Sequence, residues 1–265
     1  MNRLTYPLTT MRITQGYTGN TSHLPHTTGI PKDYPIDDGE KDTGRGAFYC
    51  PCDGVVVKRI YGVGNKGVNT IWLESANIVG FADGTSDFVT ILITHPNDDD
   101  LRKLRVGQTF KRGDYILREG TDGASGNHFH LSAGKGKIKG NGWTKNSYSK
   151  YVLTTTHGTY KPEQLFFIDP KFTNVVNSKG LCFKTLLSNP YIFNEPKKYI
   201  TKGDKGISVQ WVQYELVRLC YNIGGGIDGR CGPITTEAIR KFQKNHGLVS
   251  DGKAGPLTRE AMANA

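Results

Sequence analysis

The stretch Gly126–Gly134, GNHFHLSAG, places two histidines one residue apart between glycines. On an extended strand, residues i and i+2 point to the same face, with their Cα atoms about 7 Å apart. His128 and His130 would then project side by side. They could share one metal ion, or one could bind it while the other moves a proton. The alternative is a polar strand face with two partly exposed histidines, and the rest of the chain bears on the choice.

The chain up to about residue 170 has the pattern of a β-rich domain. Runs rich in β-branched and aromatic residues are separated by clusters of Gly, Asn and Asp: GVVVKRI at 54–60, TIWLES at 70–75 and DFVTILITH at 87–95. Residues 106–120 add two short strands around a Gly-Asp turn. No part of this region keeps an apolar period of 3.6 residues over three turns. We therefore predict a mainly β domain over residues 1–172.

The pattern changes to a helical one after residue 200. Apolar residues recur at helical spacing in Val209, Val212, Leu216 and Leu219, and a second helix is predicted from Pro233 to His246. The segment DGRCGPITTEA at 228–238 recurs 23 residues later as DGKAGPLTREA, with seven of eleven positions identical. Each copy is a turn followed by a helix that begins at proline. These features predict a small all-α module of three helices over residues 197–265, with 173–196 as a linker that can carry a strand.

Composition excludes several classes of protein. With 36% hydrophobic and 22% charged residues among 265, the chain is typical of a soluble globular protein. It has no apolar run near the roughly 20 residues that span a bilayer. Its N-terminus lacks the apolar core of a secretory signal, so we expect synthesis in the cytoplasm. The net charge of +10 favours a polyanionic surface as partner, but no nucleic-acid-binding motif is present.

The five cysteines are odd in number and scattered, so we expect buried, reduced thiols rather than a disulfide framework. Cys50 and Cys52 have one intervening residue and no second pair, which is not the spacing of a zinc thiolate site.

Five of the seven histidines and one aspartate cluster in three segments of the β-rich domain: His23, His26, Asp37, His95, His128 and His130. Zinc takes imidazole nitrogen and an occasional carboxylate in tetrahedral geometry, and a catalytic site keeps one position for water. Two histidines and one aspartate supply such a site. The remaining histidines could polarise the water or stabilise an oxyanion.

These motifs resemble the lysostaphin-type zinc endopeptidases of bacterial peptidoglycan. The family has a His and then an Asp in its N-terminal part, a histidine that ends a strand, and a late His-x-His. AFYCPCDGVVV at 47–57 and RVGQTFKRGDYILREGTDGASGNHFHLSAG at 105–134 resemble its intervening passages. The resemblance covers roughly residues 10–135 and implies antiparallel sheets and a Zn²⁺ cofactor.

The resemblance also implies roles for single residues. Asp37 and His130 would be metal ligands together with one N-terminal histidine, and His95 and His128 would be the catalytic pair. A family tyrosine six residues before the first ligand matches Tyr17, which gives Tyr17 a role at the oxyanion.

The first ligand has two candidates, because thirteen residues separate His23 from Asp37 whereas the family usually has three. The count back from Asp37 favours His26, and the count forward from Tyr17 favours His23. We choose His23, because insertions are accommodated in loops that follow a fixed strand. The insertion at 24–36 is then expected to loop out at the mouth of the site, with His26 exposed or touching substrate.

The tail resembles a second family, the small peptidoglycan-binding module, over nearly all of residues 202–262, including Gln210 and Phe242-Gln243. A wall-cutting domain with a wall-binding tail resembles a bacteriolytic phage endolysin, for which we expect release through a holin and peptidoglycan as the partner. Two alternatives are a non-catalytic wall-binding protein with a degenerate peptidase domain and an amidase that cleaves between glycan and stem peptide. The complete set of ligands disfavours the first, and the order of His and Asp disfavours the second.

Overall fold

A computed structural model describes residues 2–19, 22–39, 45–186, 191, 194–224 and 226–265. The chain divides into two compact units, Met1–Cys182 and Phe183–Ala265. Among the described residues, no helix is both long and apolar enough to cross a membrane.

The first unit is mostly β-structure. Its strands are β1 Thr10–Gln15, β2 Ile36–Asp38, β3 Ala47–Tyr49, β4 Val55–Tyr61, β5 Thr70–Ser75, β6 Val79–Gly80, β7 Ser86–Asp87, β8 Val89–Thr94, β9 Thr109–Phe110, β10 Tyr115–Arg118, β11 Phe129–Lys135, β12 Ile138–Lys145, β13 Tyr151–Thr155 and β14 Asn174–Asn177. Its short helices are α1 Leu24–Thr28, α2 Asp98–Leu101 and α3 Pro162–Leu165.

The described residues of this unit build an eight-stranded sheet in the order β14-β1-β2-β11-β8-β5-β4-β9. Neighbouring strands are antiparallel, apart from the parallel pair of β1 and β14. The mainly β, antiparallel fold that the sequence predicts is confirmed. β14 lies in the predicted linker 173–196, and it adds an edge strand to the sheet.

Strand β11 shows why the histidine motif lies on this sheet. Its residues alternate, so that Phe129 and Leu131 are buried on one face while His130 is half-buried on the other. Phe129 packs edge-on against Phe48, with ring centroids 5.8 Å apart. The core under β11 thus fixes which face the histidines take.

A hairpin of β12 and β13 covers part of the sheet on the face that carries His130, opposite the face that carries Phe129. Trp72 of β5 is fully buried beneath it and donates a hydrogen bond from Nε1 to the carbonyl oxygen of Gly142 at 3.0 Å. Trp72, Leu92 and Leu153 form one apolar cluster, against which Trp143 packs. Because both faces of β5 are covered, every residue of that strand is buried.

The second unit is helical in its described residues, as predicted. Its helices are α4 Ile207–Arg218, α5 Pro233–Asn245 and α6 Pro256–Asn264. Proline occupies the first turn of α5 and α6, where its missing N–H costs nothing. Val209, Leu216, Ile239 and Phe242 are fully buried in the core between the helices.

The cysteines are of two kinds. Cys50, Cys52 and Cys231 are free and buried, as expected. Cys182 and Cys220 are disulfide-bonded, so the expectation of reduced thiols is wrong for these two. The positions of these cysteines in the sequence carry no signal of a disulfide, because disulfide formation depends on distance in the fold.

Candidate metal centre and cleft

Three side chains converge beside β2 and β11: His23, Asp37 and His130. Asp37 Oδ1 lies 3.1 Å from His23 Nε2 and 3.0 Å from His130 Nδ1, and the two nitrogens are 3.3 Å apart. Ligand atoms about 2.0–2.1 Å from a tetrahedral zinc are separated from each other by about 3.3 Å. The structure thus brings together the three residues predicted as ligands, at the spacing that zinc requires.

The strand register explains how residues distant in sequence meet here. β2 and β11 are antiparallel neighbours in which Asp37 pairs with His130. Directly opposed side chains on such strands have Cβ atoms about 5 Å apart. On the other side of β11, Thr94 of β8 pairs with His130, so His95 follows the end of β8 next to the cluster. His23 comes from the segment before α1, and its ring lies 5.0 Å from that of His130.

The hydrogen-bond partner of His23 shows what the cluster can hold. Nδ1 of His23 lies 2.9 Å from the carbonyl oxygen of Gly16, which can only accept, so Nδ1 carries the hydrogen. Nε2 of the neutral ring then presents a lone pair to Asp37 Oδ1, which is also an acceptor. Two acceptors 3.1 Å apart need a proton or a metal ion between them. The hydrogen bond to the Gly16 carbonyl oxygen orients the ring, as a bond from the second ring nitrogen of a ligating histidine does in metal sites, so the donor set fits a zinc ion.

The carboxylate of Asp37 is held ionised. Burial alone would raise its pKa, but the hydrogen bonds and charges of His130 and His23 outweigh burial and keep the pKa well below its usual range. The next residue, Asp38, points to the other face of β2 and accepts hydrogen bonds from the Tyr6 hydroxyl and the Arg12 N–H. Alternation along β2 therefore selects Asp37 as the residue that faces the histidines.

His95 and His128 lie next to the three-residue cluster as a pair. Their ring centroids are 4.6 Å apart, and His128 Nε2 lies 3.9 Å from Asp37 Oδ1. Each ring has Nδ1 against a backbone carbonyl oxygen: His95 at 2.7 Å from Asp122, and His128 at 2.9 Å from Gly126. In the neutral rings Nδ1 is therefore the donor, and both Nε2 atoms keep a lone pair for proton transfer.

The position of His95 is held by its surroundings. Its backbone has φ of 79°, in the left-handed region that residues other than glycine rarely adopt. A Cβ at Gly120 would lie 2.3 Å from the carbonyl oxygen of His95, so only glycine lets this segment pass. Burial lowers the pKa of His95 to about 4; the charges of His130 and His128 add to this lowering, and the hydrogen bond to Asp122 opposes it. The ring is neutral at pH 7 and can accept a proton.

The other N-terminal candidate, His26, lies behind the cluster. Its ring centroid is 5.8 Å from that of His130 and 6.3 Å from that of His23. His26 is only 9% exposed, so of the two expected positions the exposed one is wrong; the side chain lines a cleft, and contact with substrate stays a prediction. Burial lowers the pKa of His26 to about 4, and the positive charges of His130, His23 and Lys150 lower it further.

The insertion between His23 and Asp37 does not loop out. Residues 24–28 form α1, and the carbonyl oxygen of Pro25 accepts a hydrogen bond of 2.8 Å from Asn146 Nδ2 on the turn of the β12–β13 hairpin. Ile30 and Ser147 exchange two further bonds. The carboxylate of Asp33 accepts the N–H of Leu153 at 3.0 Å. Packing against the hairpin makes the insertion one wall of the site.

Tyr17, to which the sequence assigns a role at the oxyanion, has a hydrogen-bond partner within the protein. Its hydroxyl donates to Glu163 Oε1 at 2.9 Å, and its ring meets that of Tyr34 edge-on. Burial, followed by the hydrogen bond to Glu163, raises the pKa of Tyr17. A role at the oxyanion would require this hydrogen bond to break, and Glu163 lies 146 residues away in sequence, which motif spacing cannot anticipate.

A cleft of about 500 Å³ adjoins the cluster. Its lining includes three histidines and three aromatic residues: His26, His95, His130, Tyr61, Trp143 and Tyr151. Asp33 and Lys150 also line it, and sequence reasoning missed these two along with the aromatic residues. No sequence motif marks these residues, because the fold brings them to the cleft from the end of β4, the insertion and the β12–β13 hairpin.

Comparisons with known proteins find partial similarities. An endolysin of the Burkholderia phage AP3 is 36% identical over 25% of this chain and 25% of its own, with a TM-score of 0.24. A zinc-containing peptidase from Vibrio cholerae is 19% identical over 50% of this chain and 37% of its own, with a TM-score of 0.32. The antimicrobial peptidase lysostaphin from Staphylococcus simulans is 16% identical over 44% of this chain and 53% of its own, with a TM-score of 0.26.

No curated protein matches the chain. Among the solved structures, the aligned part spans a quarter of the endolysin and about a third to a half of the two peptidases. Within the C-terminal unit, residues 205–262 match the family described as "Putative peptidoglycan binding domain".

Proposed function

We propose that this protein is a zinc-dependent endopeptidase that hydrolyses peptide bonds in the cross-bridges or stem peptides of bacterial peptidoglycan. The convergence of His23 Nε2, Asp37 Oδ1 and His130 Nδ1, each within 3.3 Å of the others, carries the proposal. The paired imidazoles of His95 and His128 beside this cluster favour a catalytic site over a structural one, because structural zinc sites are closed by four protein ligands. The tail that matches peptidoglycan-binding domains supports the wall as substrate.

His23, Asp37 and His130 would hold the zinc ion. When bound, zinc supplies Lewis acidity towards the scissile carbonyl and activates water. The protein's own side chains handle the protons. Nε2 of neutral His95 or His128 takes a proton from the attacking water, and the resulting imidazolium stabilises negative charge on the former carbonyl oxygen and returns the proton to the leaving amine.

The biological setting that fits this activity is a phage endolysin. In this proposal the enzyme is made in the host cytoplasm, reaches the wall by holin-type release and is retained there by residues 205–262. The net charge of +10 supports retention, since an anionic wall attracts a cationic enzyme.

Digestion of purified peptidoglycan tests the activity. Protein purified without added metal should contain one zinc per chain, lose activity to a chelator and regain it with zinc. Mass spectrometry of the products should find new amino and carboxyl termini within peptides. Release of intact stem peptides from the glycan would instead identify an amidase, and absence of zinc with no rescue would contradict the metal assignment.

A further inference from the structure

Part of the cleft is an aromatic wall formed by Tyr61, Trp143 and Tyr151. The Trp143 ring centroid lies 4.9 Å from that of Tyr61 and 5.1 Å from that of Tyr151. Buried Trp72 supports Trp143 edge-on at 5.0 Å. These rings offer flat apolar surface, although Arg59 lies over Trp143 at 5.3 Å and Lys145 over Tyr151 at 5.2 Å. Such a surface fits an apolar side chain or the methylene groups of a substrate.

Lys150 lies beside this wall at the turn of the β12–β13 hairpin and also lines the cleft. Its backbone is fixed, because its N–H donates to Asn146 Oδ1 at 3.1 Å and its carbonyl oxygen accepts the N–H of Asn146 at 2.9 Å. Asn146 is in turn tied to Pro25 of the insertion at 2.8 Å. The cation therefore projects from a position that the fold determines.

No carboxylate in the described part of the chain forms an ion pair with Lys150, and it differs in this from Lys135, whose Nζ pairs with Asp83 at 2.6 Å. The nearest candidate by position in the cleft is Asp33. That carboxylate is only 2% exposed, and its two oxygens accept the N–H groups of Tyr34 at 2.8 Å and Leu153 at 3.0 Å. Lys150 thus offers the cleft a positive charge that the described residues leave without a counter-ion.

We propose that the cleft binds an acidic wall peptide, with a substrate carboxylate on Lys150 Nζ and the neighbouring apolar part of the peptide on the aromatic wall. This inference deepens the proposed function and rests on it for the identity of the substrate. The free carboxylates of stem peptides supply the charge. A substrate in which those groups are amides lacks it.

The test uses the full-length, zinc-loaded protein and two soluble wall peptides of the same sequence, one with free carboxylates and one with carboxamides. Lys150→Ala should raise KM for the acidic peptide about fivefold to tenfold, because a charged hydrogen bond is lost, and leave kcat near its original value. KM for the amidated peptide should not change. Lys150→Arg should keep most of the preference for the acidic peptide over the amidated one, and Lys150→Glu should reverse that preference.

Lys139→Ala is the matched control, since Lys139 is an exposed lysine of the same hairpin and does not line the cleft. Equal effects of Lys150→Ala on both peptides, or an equal effect of Lys139→Ala, would overturn the proposal. Calorimetric binding of both peptides to His128→Ala separates this inference from the function. Selective binding of the acidic peptide that depends on Lys150 supports the inference even if no peptide is hydrolysed. Binding without that dependence rejects the inference even if hydrolysis occurs.

Discussion

The imidazoles of the candidate metal centre differ in which ring nitrogen faces Asp37 and in how close it lies. His23 Nε2 and His130 Nδ1 meet Asp37 Oδ1 within 3.1 Å, whereas His128 Nε2 stays 3.9 Å from that oxygen. In the proposed function His23 and His130 bind the metal ion and His128 moves a proton, since a zinc–nitrogen bond is only about 2 Å long. Single substitutions can therefore separate the two roles.

Substitution of the paired histidines should abolish most activity and leave the metal in place. His95→Ala and His128→Ala are each expected to reduce peptidoglycan hydrolysis roughly 100- to 1,000-fold, because a proton-transfer or oxyanion group is lost. His130→Ala and Asp37→Ala should lose zinc. Elemental analysis of the four purified variants, with hydrolysis rates, is the measurement, and loss of zinc from either His95 or His128 variant would contradict the assignment.

The choice between His23 and His26 is a second prediction at this scale. His23→Ala should abolish zinc binding, because Nε2 is one of the three converging atoms. His26→Ala should retain zinc, because its ring lies behind His130 with centroids 5.8 Å apart. Zinc titration of both variants, with thermal unfolding to check that each is folded, decides the matter. Retention by His23→Ala and loss by His26→Ala would reverse the assignment.

At the scale of elements, local sequence patterns predict single strands but not the contacts between elements. The alternation in HFHLS gives the face of β11, and TIWLES coincides with β5. Both are set by neighbours along the chain. The insertion at 24–36 could not be placed this way, because its position depends on a bond from Asn146 that spans 121 residues. Tyr17 is a similar case: spacing identifies the residue but not the hydrogen bond from its hydroxyl to Glu163, and its role at the oxyanion stays a prediction.

The repeated segment of the tail has a structural meaning that its sequence only suggests. Gln213 bonds to Asp228, to the Gly229 N–H and to Thr235, while Gln243 makes the same three bonds to Asp251, the Gly252 N–H and Thr258. Each buried glutamine thus joins a helix to the Asp-Gly turn and the Pro-started helix that follow it.

Gln243→Ala should destabilise the second unit by about 1–3 kcal/mol, because buried partners lose their bonds. Gln210→Ala is the control: Gln210 is half-buried and makes one long bond, 3.4 Å to the Ile227 carbonyl oxygen. Its effect should stay within about 0.5 kcal/mol. Hydrogen exchange of peptides from residues 205–262 in the full-length chain reports the local free energy of opening. Similar losses in both variants would show that the glutamine network contributes no particular stability.

For the whole molecule, the candidate metal centre and the match to a protein family fall in different units. The converging ligands and the cleft belong to Met1–Cys182, and the matched residues 205–262 belong to Phe183–Ala265. Within the described residues, the second unit has His246 as its histidine, and its ring stacks on Phe242 with centroids 4.0 Å apart. That ring is part of the end of α5.

A chain that ends at residue 182 should therefore lose affinity for intact walls but keep hydrolysis of a small soluble peptide. The tail contributes binding energy and effective concentration at an insoluble substrate, neither of which a freely diffusing peptide needs. Because Cys182 is disulfide-bonded, both the shortened chain and the full-length control should carry Cys182→Ser. Pelleting with purified walls measures binding, and peptide turnover measures catalysis. Equal loss of both activities in the shortened chain would mean that residues 183–265 are needed for the integrity of the catalytic unit.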